Sequence, residues 1–81
     1  MSSGLSLADL EPKQQGRIRT VVGDDGLTQR LWELGFTPGQ RVDVIRFAPL
    51  GDPIQVRVRG FDVALRRAEA RRILLEPSEP R

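Results

Sequence analysis

Two runs of alternating apolar and polar residues, separated by one turn, constrain the fold of this chain more than any other feature. The first run extends from Ile54 to Arg59, and the alternation resumes from Phe61 to Arg66 after Gly60. A period of two places alternate side chains on opposite faces of a β-strand. The predicted inward-facing residues are Ile54, Val56, Val58, Phe61, Val63 and Leu65. The runs are too close in sequence for any connection but a β-hairpin.

Three further segments have strand character. Arg17–Val22 is rich in β-branched residues, which favour pleated backbone. In Val42–Phe47 the apolar positions change parity after Val44, which predicts a bulge or a bend. The stretch "RAEARR" predicts a single helical turn, and Ile73–Leu75 is predicted to pair with the first strand and close the sheet.

One helix is predicted between the first two strands, in "GDDGLTQRLWELG". Asp24 or Asp25 is a suitable N-cap, and Gly35 supplies the left-handed residue that ends many helices. The predicted buried stripe is Leu27, Leu31 and Leu34. Trp32 falls at the edge of this stripe and is predicted to pack partly over the mouth of the fold, in preference to the alternative of a binding aromatic. The following "TPGQ" predicts a type II turn.

These elements predict a mainly β fold, a small partly open barrel of about five strands with one short α-helix after the first strand. One domain, residues 5–76, is expected between flexible termini at residues 1–4 and 77–81. In "SLAD" the Ser6 hydroxyl is predicted to accept a hydrogen bond from the Asp9 amide. Leu7 and Leu10 would then be buried and close one end of the barrel.

The composition restricts the chemistry available to the chain. Its 81 residues contain no His, Cys or Tyr, and 13 basic against 11 acidic residues give a net charge of +2. Imidazole and thiol catalysis, disulfides, and nitrogen or thiolate metal ligands are therefore excluded. Asp24 and Asp25 read as a turn, not a catalytic dyad, so we predict a protein that is not an enzyme and needs no cofactor. The sequence has no signal-peptide pattern and no apolar run approaching the ~18 residues of a membrane span, which predicts a cytoplasmic location.

The link "APLGDP", residues 48–53, joins two predicted strands and is unusually stiff. Pro49 and Pro53 fix φ, and residues 48–51 suit a type I turn with glycine at its end. Leu50 has two interpretations: it folds back to cap the core, or it is a rigid apolar finger that enters a groove on a partner. The candidate partner-binding residues are Pro49, Leu50, Gly51 and Asp52, together with Arg57 and Arg59.

Several arginines are predicted to project outward from strands that could be neighbours. They are Arg17, Arg19, Arg57, Arg59 and Arg66. The run is interpreted as a solvated face that resists edge pairing, or alternatively as a phosphate-contacting surface. Nucleic-acid binding is disfavoured because the chain has no helix-turn-helix reader and no aromatic residues interleaved with these arginines. A polyproline-binding groove is disfavoured because the row of aromatics that it requires is missing.

The order "LWELGFTPGQRVDVIRFAPLGDPIQVRVRGFDVALRRAEARRILLE" resembles the FeoA family, with "LGFTPG" and "APLGDPI" as the most specific parts. The resemblance extends from about Leu5 to Glu76. It implies an SH3-like β-barrel that acts in bacterial ferrous iron uptake by contacting an FeoB-type membrane transporter, and that meets the membrane only through this transporter. Similar barrels also occur as appended domains of metal-dependent repressors, which implies an alternative role in nucleic-acid or protein contacts through the arginine face.

The oxygen ligands of this chain are scattered over loops, whereas Fe²⁺ sites usually include imidazole or thiolate. We therefore predict no metal-ligating residues and no high-affinity iron site. Weak coordination by carboxylates of two chains, and a weak homo-oligomer, are the alternatives compatible with this composition.

Overall fold

The protein is described by a computed structural model that covers residues 5–77. In chain order the elements are a 3₁₀ turn Leu7–Asp9, β1 Gln15–Val21, α1 Gly26–Leu34, β2 Arg41–Phe47, β3 Ile54–Val58, β4 Phe61–Leu65, α2 Arg67–Ala70 and β5 Ile73–Leu75. The strands form an antiparallel sheet of order β4-β3-β2-β1-β5. The prediction of a mainly β fold with five strands and a helix after the first is confirmed. The predicted flexible termini are residues 1–4 and 77–81, and of these only Pro77 is among the described residues.

The hairpin between β3 and β4 has the expected register, with Val58 opposite Phe61. Its turn residues, Arg59 and Gly60, have φ of 55° and 84°, as in the type I′ turn whose twist matches that of the strands. Every predicted inward residue of β3 is buried, and so is Leu65. Phe61 lies on the predicted inner face, opposite Val58, but 68% of this residue is exposed. Phe61 begins β4, which lies at the edge of the sheet, and no further strand of the described part of the chain covers it.

The predicted irregularity in β2 is confirmed. The pairing of β2 with β3 shifts register between Val44 and Arg46. Such a bulge bends a strand and increases its twist. The bend fits the different partners of the two ends of β2: β1 pairs with the segment that begins at Arg41, while β3 pairs as far as Phe47.

The last strand pairs with the first as predicted, but it does not close the sheet into a cylinder. β5 lies against β1, and among residues 5–77 no pairing joins β5 to β4. The segment before the 3₁₀ turn covers β5 instead: Leu75 donates to the Leu5 carbonyl at 3.0 Å, and Ser6 bridges Leu74. The predicted cap of this turn is part of a capping box: the Ser6 side chain faces the Asp9 amide, and the Asp9 carboxylate accepts from the Ser6 amide at 2.8 Å.

The helix begins and ends where predicted. The Asp25 side chain accepts from the Thr28 amide, and Gly35 has φ of 112° at the C-terminal end. The predicted stripe is only partly correct: Leu31 is buried, whereas Leu34 is 37% exposed. The second buried residue of α1 is Thr28, and its hydroxyl donates to the Val22 carbonyl at 3.3 Å.

The core lies between the sheet, α1 and the N-terminal turn. It comprises Leu7, Leu10, Ile18, Val21, Leu31, Phe36, Val42, Val44, Ile54, Val56, Val58, Leu65, Ala70, Ile73 and Leu75. The predicted burial of Leu7 and Leu10 is confirmed.

Candidate functional site

The Leu50 loop, defined as residues 48–53, forms a tight turn between β2 and β3. The Gly51 amide donates to the Ala48 carbonyl at 2.7 Å, and the Ala48 amide donates to the Pro53 carbonyl at 2.9 Å. Gly51 has φ of 87°, and the Asp52–Pro53 peptide bond is cis. Leu50 lies at the tip and is 95% exposed. The capping interpretation of Leu50 is therefore wrong, because the hydrogen-bonded turn directs its side chain away from the core.

Arg67, the first residue of α2, holds the Leu50 loop in place. Its Nε donates to the Gly51 carbonyl at 2.5 Å, and its backbone amide donates to Asp52 Oδ1 at 3.1 Å. The guanidinium also lies 4.5 Å from the centre of the Phe47 ring, within the range of a cation–π interaction. This role of Arg67 could not be predicted from the sequence, because Arg67 is 16 residues from Gly51 and no local pattern marks the contact.

A groove of about 450 Å³ lies beside the loop. Its walls are mainly apolar, with polar side chains on one part of the lining; the residues are Arg46, Phe47, Ala48, Pro49, Pro53, Ile54, Gln55 and Ala64. Pro49 and Pro53 belong to the Leu50 loop and also line the groove. The exposed Leu50 side chain therefore lies beside a groove that can accept an apolar side chain.

Arg57 is engaged by a neighbour on the outer face of the sheet. Its Nε and Nη2 donate to the two carboxylate oxygens of Asp62 at 2.7 and 3.3 Å. This hydrogen bonding raises the pKa of Arg57 and lowers that of Asp62. Asp43 lies opposite Arg57 in the β2–β3 register. The positive charge of Arg57 is thus balanced within the domain.

The six candidate residues do not form one site. Pro49, Leu50, Gly51 and Asp52 lie together in the loop before β3, whereas Arg59 lies in the hairpin turn after β3. A five-residue strand separates them, a length of about 17 Å at ~3.3 Å per residue. Arg59 packs against the C-terminal end of α1. The approach is so close that a Cβ atom added to Gly35 would lie 2.7 Å from the Cδ of Arg59.

The arginines likewise do not form a continuous face. Arg17 and Arg19 belong to β1, and β2 separates that strand from β3 and Arg57. Arg41 on β2 is paired with Asp43 at 2.9 Å, so acidic groups are interleaved with the basic ones.

Within residues 5–77, no cluster of three or more His, Cys, Asp or Glu side chains is arranged to hold a metal ion. In the same part of the chain no helix is long and apolar enough to cross a membrane.

Similar proteins of known family indicate the family of this chain. The FeoA domain profile matches residues 5–77. A curated relative from Porphyromonas gingivalis, an Fe(2+) transport protein A/Fe(2+) transporter FeoB fusion protein, is 35% identical over 72 residues. The match covers 89% of this chain but only 8% of that relative.

Solved structures of FeoA proteins are also similar to this chain. A FeoA-like protein from Clostridium acetobutylicum is 30% identical with a TM-score of 0.86, over 100% of this chain and 94% of that one. Stenotrophomonas maltophilia FeoA, solved with zinc and described as an SH3 domain protein, is 30% identical with a TM-score of 0.80, over 89% of each chain. A manganese-dependent transcriptional repressor shares the fold at 17% identity, with a TM-score of 0.77 over 88% of this chain and 40% of that one. The chain therefore belongs to the FeoA family of SH3-like domains, which the fusion to FeoB links to ferrous iron transport.

Proposed function

We propose that this protein is an accessory factor of ferrous iron uptake that acts by direct contact with the cytosolic part of an FeoB-type transporter. The observation that carries the proposal is the relative in which a domain similar to this chain is fused to FeoB. Fusion holds two partners at a high effective concentration, so a separate domain of the same family requires its own contact surface to reach the same partner.

The Leu50 loop is the surface that best fits this role. Leu50 is 95% exposed at the tip of the loop, beside the mainly apolar groove that the loop prolines help to line. The two prolines, the turn hydrogen bond and Arg67 order the loop before any partner binds. A preordered loop loses less conformational entropy on binding than a flexible one.

Contact, not turnover, is the mode of action that the side chains support. The chain contains no His, Cys or Tyr, and so lacks the groups most used as general bases and nucleophiles near neutral pH. Its effect on the transporter would come from the position that it occupies on that protein.

Leu50→Ser tests the loop. We expect the substitution to weaken binding to the purified transporter by about 1–2 kcal/mol, or roughly 5- to 30-fold in Kd, because an apolar side chain no longer fills its pocket. The thermal midpoint should stay unchanged, since the side chain makes almost no contact within the domain. Biolayer interferometry against the transporter in nanodiscs measures the binding.

Leu34→Ser is the matched control, because Leu34 is a partly exposed leucine on α1 and lies outside the loop. Its binding should equal that of the wild type. Equal binding by the Leu50 and wild-type proteins would show that another surface makes the contact, and no binding by the wild type would refute the transporter as partner.

A further inference from the structure

The outer edge of β4 carries backbone groups without a hydrogen-bond partner among residues 5–77. The opposite edge of the sheet is covered, because Leu75 of β5 donates to the Leu5 carbonyl and Leu74 bridges Ser6. β4 is the terminal strand in the sheet order, and no segment within residues 5–77 covers its edge in this way. An open edge of this kind is a template for another strand.

The hairpin geometry identifies the free groups. With a two-residue turn, Val58 and Phe61 form the first hydrogen-bonded pair, and bonded and non-bonded pairs then alternate along the strands. The amides and carbonyls of Asp62 and Ala64 therefore point away from β3. Both residues are exposed, so an incoming strand can reach these four groups.

β4, whose one charged residue is Asp62, lacks most of the features that usually block edge pairing. It contains no proline or lysine, and its register with β3 is unbroken, without a bulge. Phe61 lies on the same face of the sheet as buried Val58, yet is 68% exposed. An exposed aromatic residue beside an unpaired edge is typical of an association surface.

We propose that the β4 edge pairs with the β4 edge of a second copy of this chain, antiparallel and about a two-fold axis at Val63. In this register Asp62 exchanges both backbone hydrogen bonds with the partner's Ala64, and the reciprocal pair does the same. On the inner face Val63 meets the partner's Val63 in a close, non-hydrogen-bonded pair, the type in which apolar side chains stabilise a sheet most. Phe61 takes the position opposite the partner's Leu65, whose side chain is already fully buried in its own core, so Phe61 is covered by the partner strand and not by new contact with that side chain.

Charge complementarity favours a second copy as the occupant. On the outer face Asp62 lies opposite the partner's Ala64, which is small and uncharged, and diagonal to the partner's Arg66. No like charges therefore face each other directly. The two Asp62 carboxylates are diagonal neighbours, but each is bound at 2.7 Å by Arg57 of its own chain.

The association is weak and depends on concentration. A contact between two five-residue strands falls below the ~1,200 Å² of a stable complex, so we expect a Kd on the order of 0.1–1 mM.

Amide hydrogen exchange by NMR on the full chain tests the pairing at residue level. Between about 0.05 and about 2 mM protein, concentrations that bracket the expected Kd, exchange at Asp62 and Ala64 should slow several-fold. Exchange at Val63, whose amide already faces β3, should not change. Sedimentation velocity over the same range should show the monomer giving way to a dimer.

Ala64→Pro removes an amide that points away from β3, at a position where an edge strand tolerates proline. It should weaken dimerisation at least tenfold, whereas Ala64→Ser, which keeps the amide, should not. Phe61→Gln provides a second variant that leaves every backbone group in place, and it should raise the Kd several-fold even if the proline variant does not fold.

Three results would overturn the proposal. The first is a monomer at the highest concentration with unchanged exchange at Asp62 and Ala64. The second is a dimer that Phe61→Gln leaves unaffected. The third is protection of these two amides only after the transporter's cytosolic region is added, which would assign the edge to that protein.

Discussion

At the scale of single residues, Leu50 and Arg67 have complementary parts in one loop. Leu50 presents apolar surface to solvent, and Arg67 joins the loop to α2 and to the N-terminal turn, donating to the carbonyls of Gly51 and Ala8 at 2.5 and 3.2 Å. The arginine can reach both because its guanidinium carries several donors in a fixed planar arrangement. The order of the proposed contact loop therefore depends on a side chain outside it.

Arg67→Ala should lower the free energy of unfolding by about 1–2 kcal/mol, because it removes two hydrogen bonds from a charged donor and the cation–π contact with Phe47. Urea denaturation at pH 7 measures the change.

Arg66→Ala is the control for this prediction, since Arg66 is the exposed neighbour and a surface substitution of this kind should cost no more than about 0.5 kcal/mol. Equal losses for the two variants would contradict the structural role of Arg67.

At the scale of elements, the N-terminus of α1 joins two parts of the chain. The Asp25 carboxylate caps the helix through the Thr28 amide at 3.2 Å and also accepts from Arg72 Nη1 at 2.7 Å, just before β5. The hydrogen bond from Arg72, followed by that from Thr28, lowers the pKa of Asp25 from 3.8 to about 2. The negative charge also lies at the favourable end of the helix dipole.

The low pKa of Asp25 predicts a pH dependence of stability. The folded state binds this proton more weakly than the unfolded state, so the stabilisation is fully present above pH 3.8 and is lost as the pH falls towards about 2. Asp25→Asn should therefore flatten the curve of unfolding free energy in this range, as measured by urea denaturation at several pH values.

Asp24→Asn is the matched control, because Asp24 precedes the cap residue and is exposed. It removes the same charge but keeps the cap of α1 and the contact with Arg72, so the comparison isolates the two hydrogen bonds of Asp25. A wild-type slope for Asp25→Asn would mean that other carboxylates account for the acid sensitivity.

At the scale of the whole molecule, short segments that are distant in sequence cover the core beside β5. The 3₁₀ turn packs between β5 and α2, and Leu7 within it is fully buried. A chain of this size buries only about 60% of its unfolded surface, so each core leucine contributes a large share of its stability.

Leu7→Ala should destabilise the protein by about 2–5 kcal/mol, through lost apolar contact and the cavity left behind. The total for a chain of 81 residues is only about 4–12 kcal/mol at ~0.05–0.15 kcal/mol per residue. The midpoint of urea denaturation should therefore move to a clearly lower urea concentration.

Leu50→Ala makes the same change at a side chain that is 95% exposed, and should alter the free energy of unfolding by less than about 0.5 kcal/mol. If Leu7→Ala were as mild as this control, the N-terminal turn would have no role in closing the fold.

The strands, the hairpin, the bulge in β2 and both ends of α1 could be predicted from the sequence because they depend on local chemistry. Alternation has a period that only a strand satisfies, and the conformations required at Gly35 and Gly60 leave a mark in the residue type. The tight turn of the Leu50 loop belongs to the same group.

The exposure of Leu50 and Phe61, the role of Arg67 and the separation of the arginines were decided by the tertiary structure. Each depends on which strand lies at an edge and which distant segment packs beside it. Apolar residues of a strand look alike in sequence whether or not a neighbour covers them, and a hydrogen bond across 16 residues leaves no periodic pattern. The sequence therefore determined the elements and the family, while the packing of those elements determined which of their side chains are free to meet a partner.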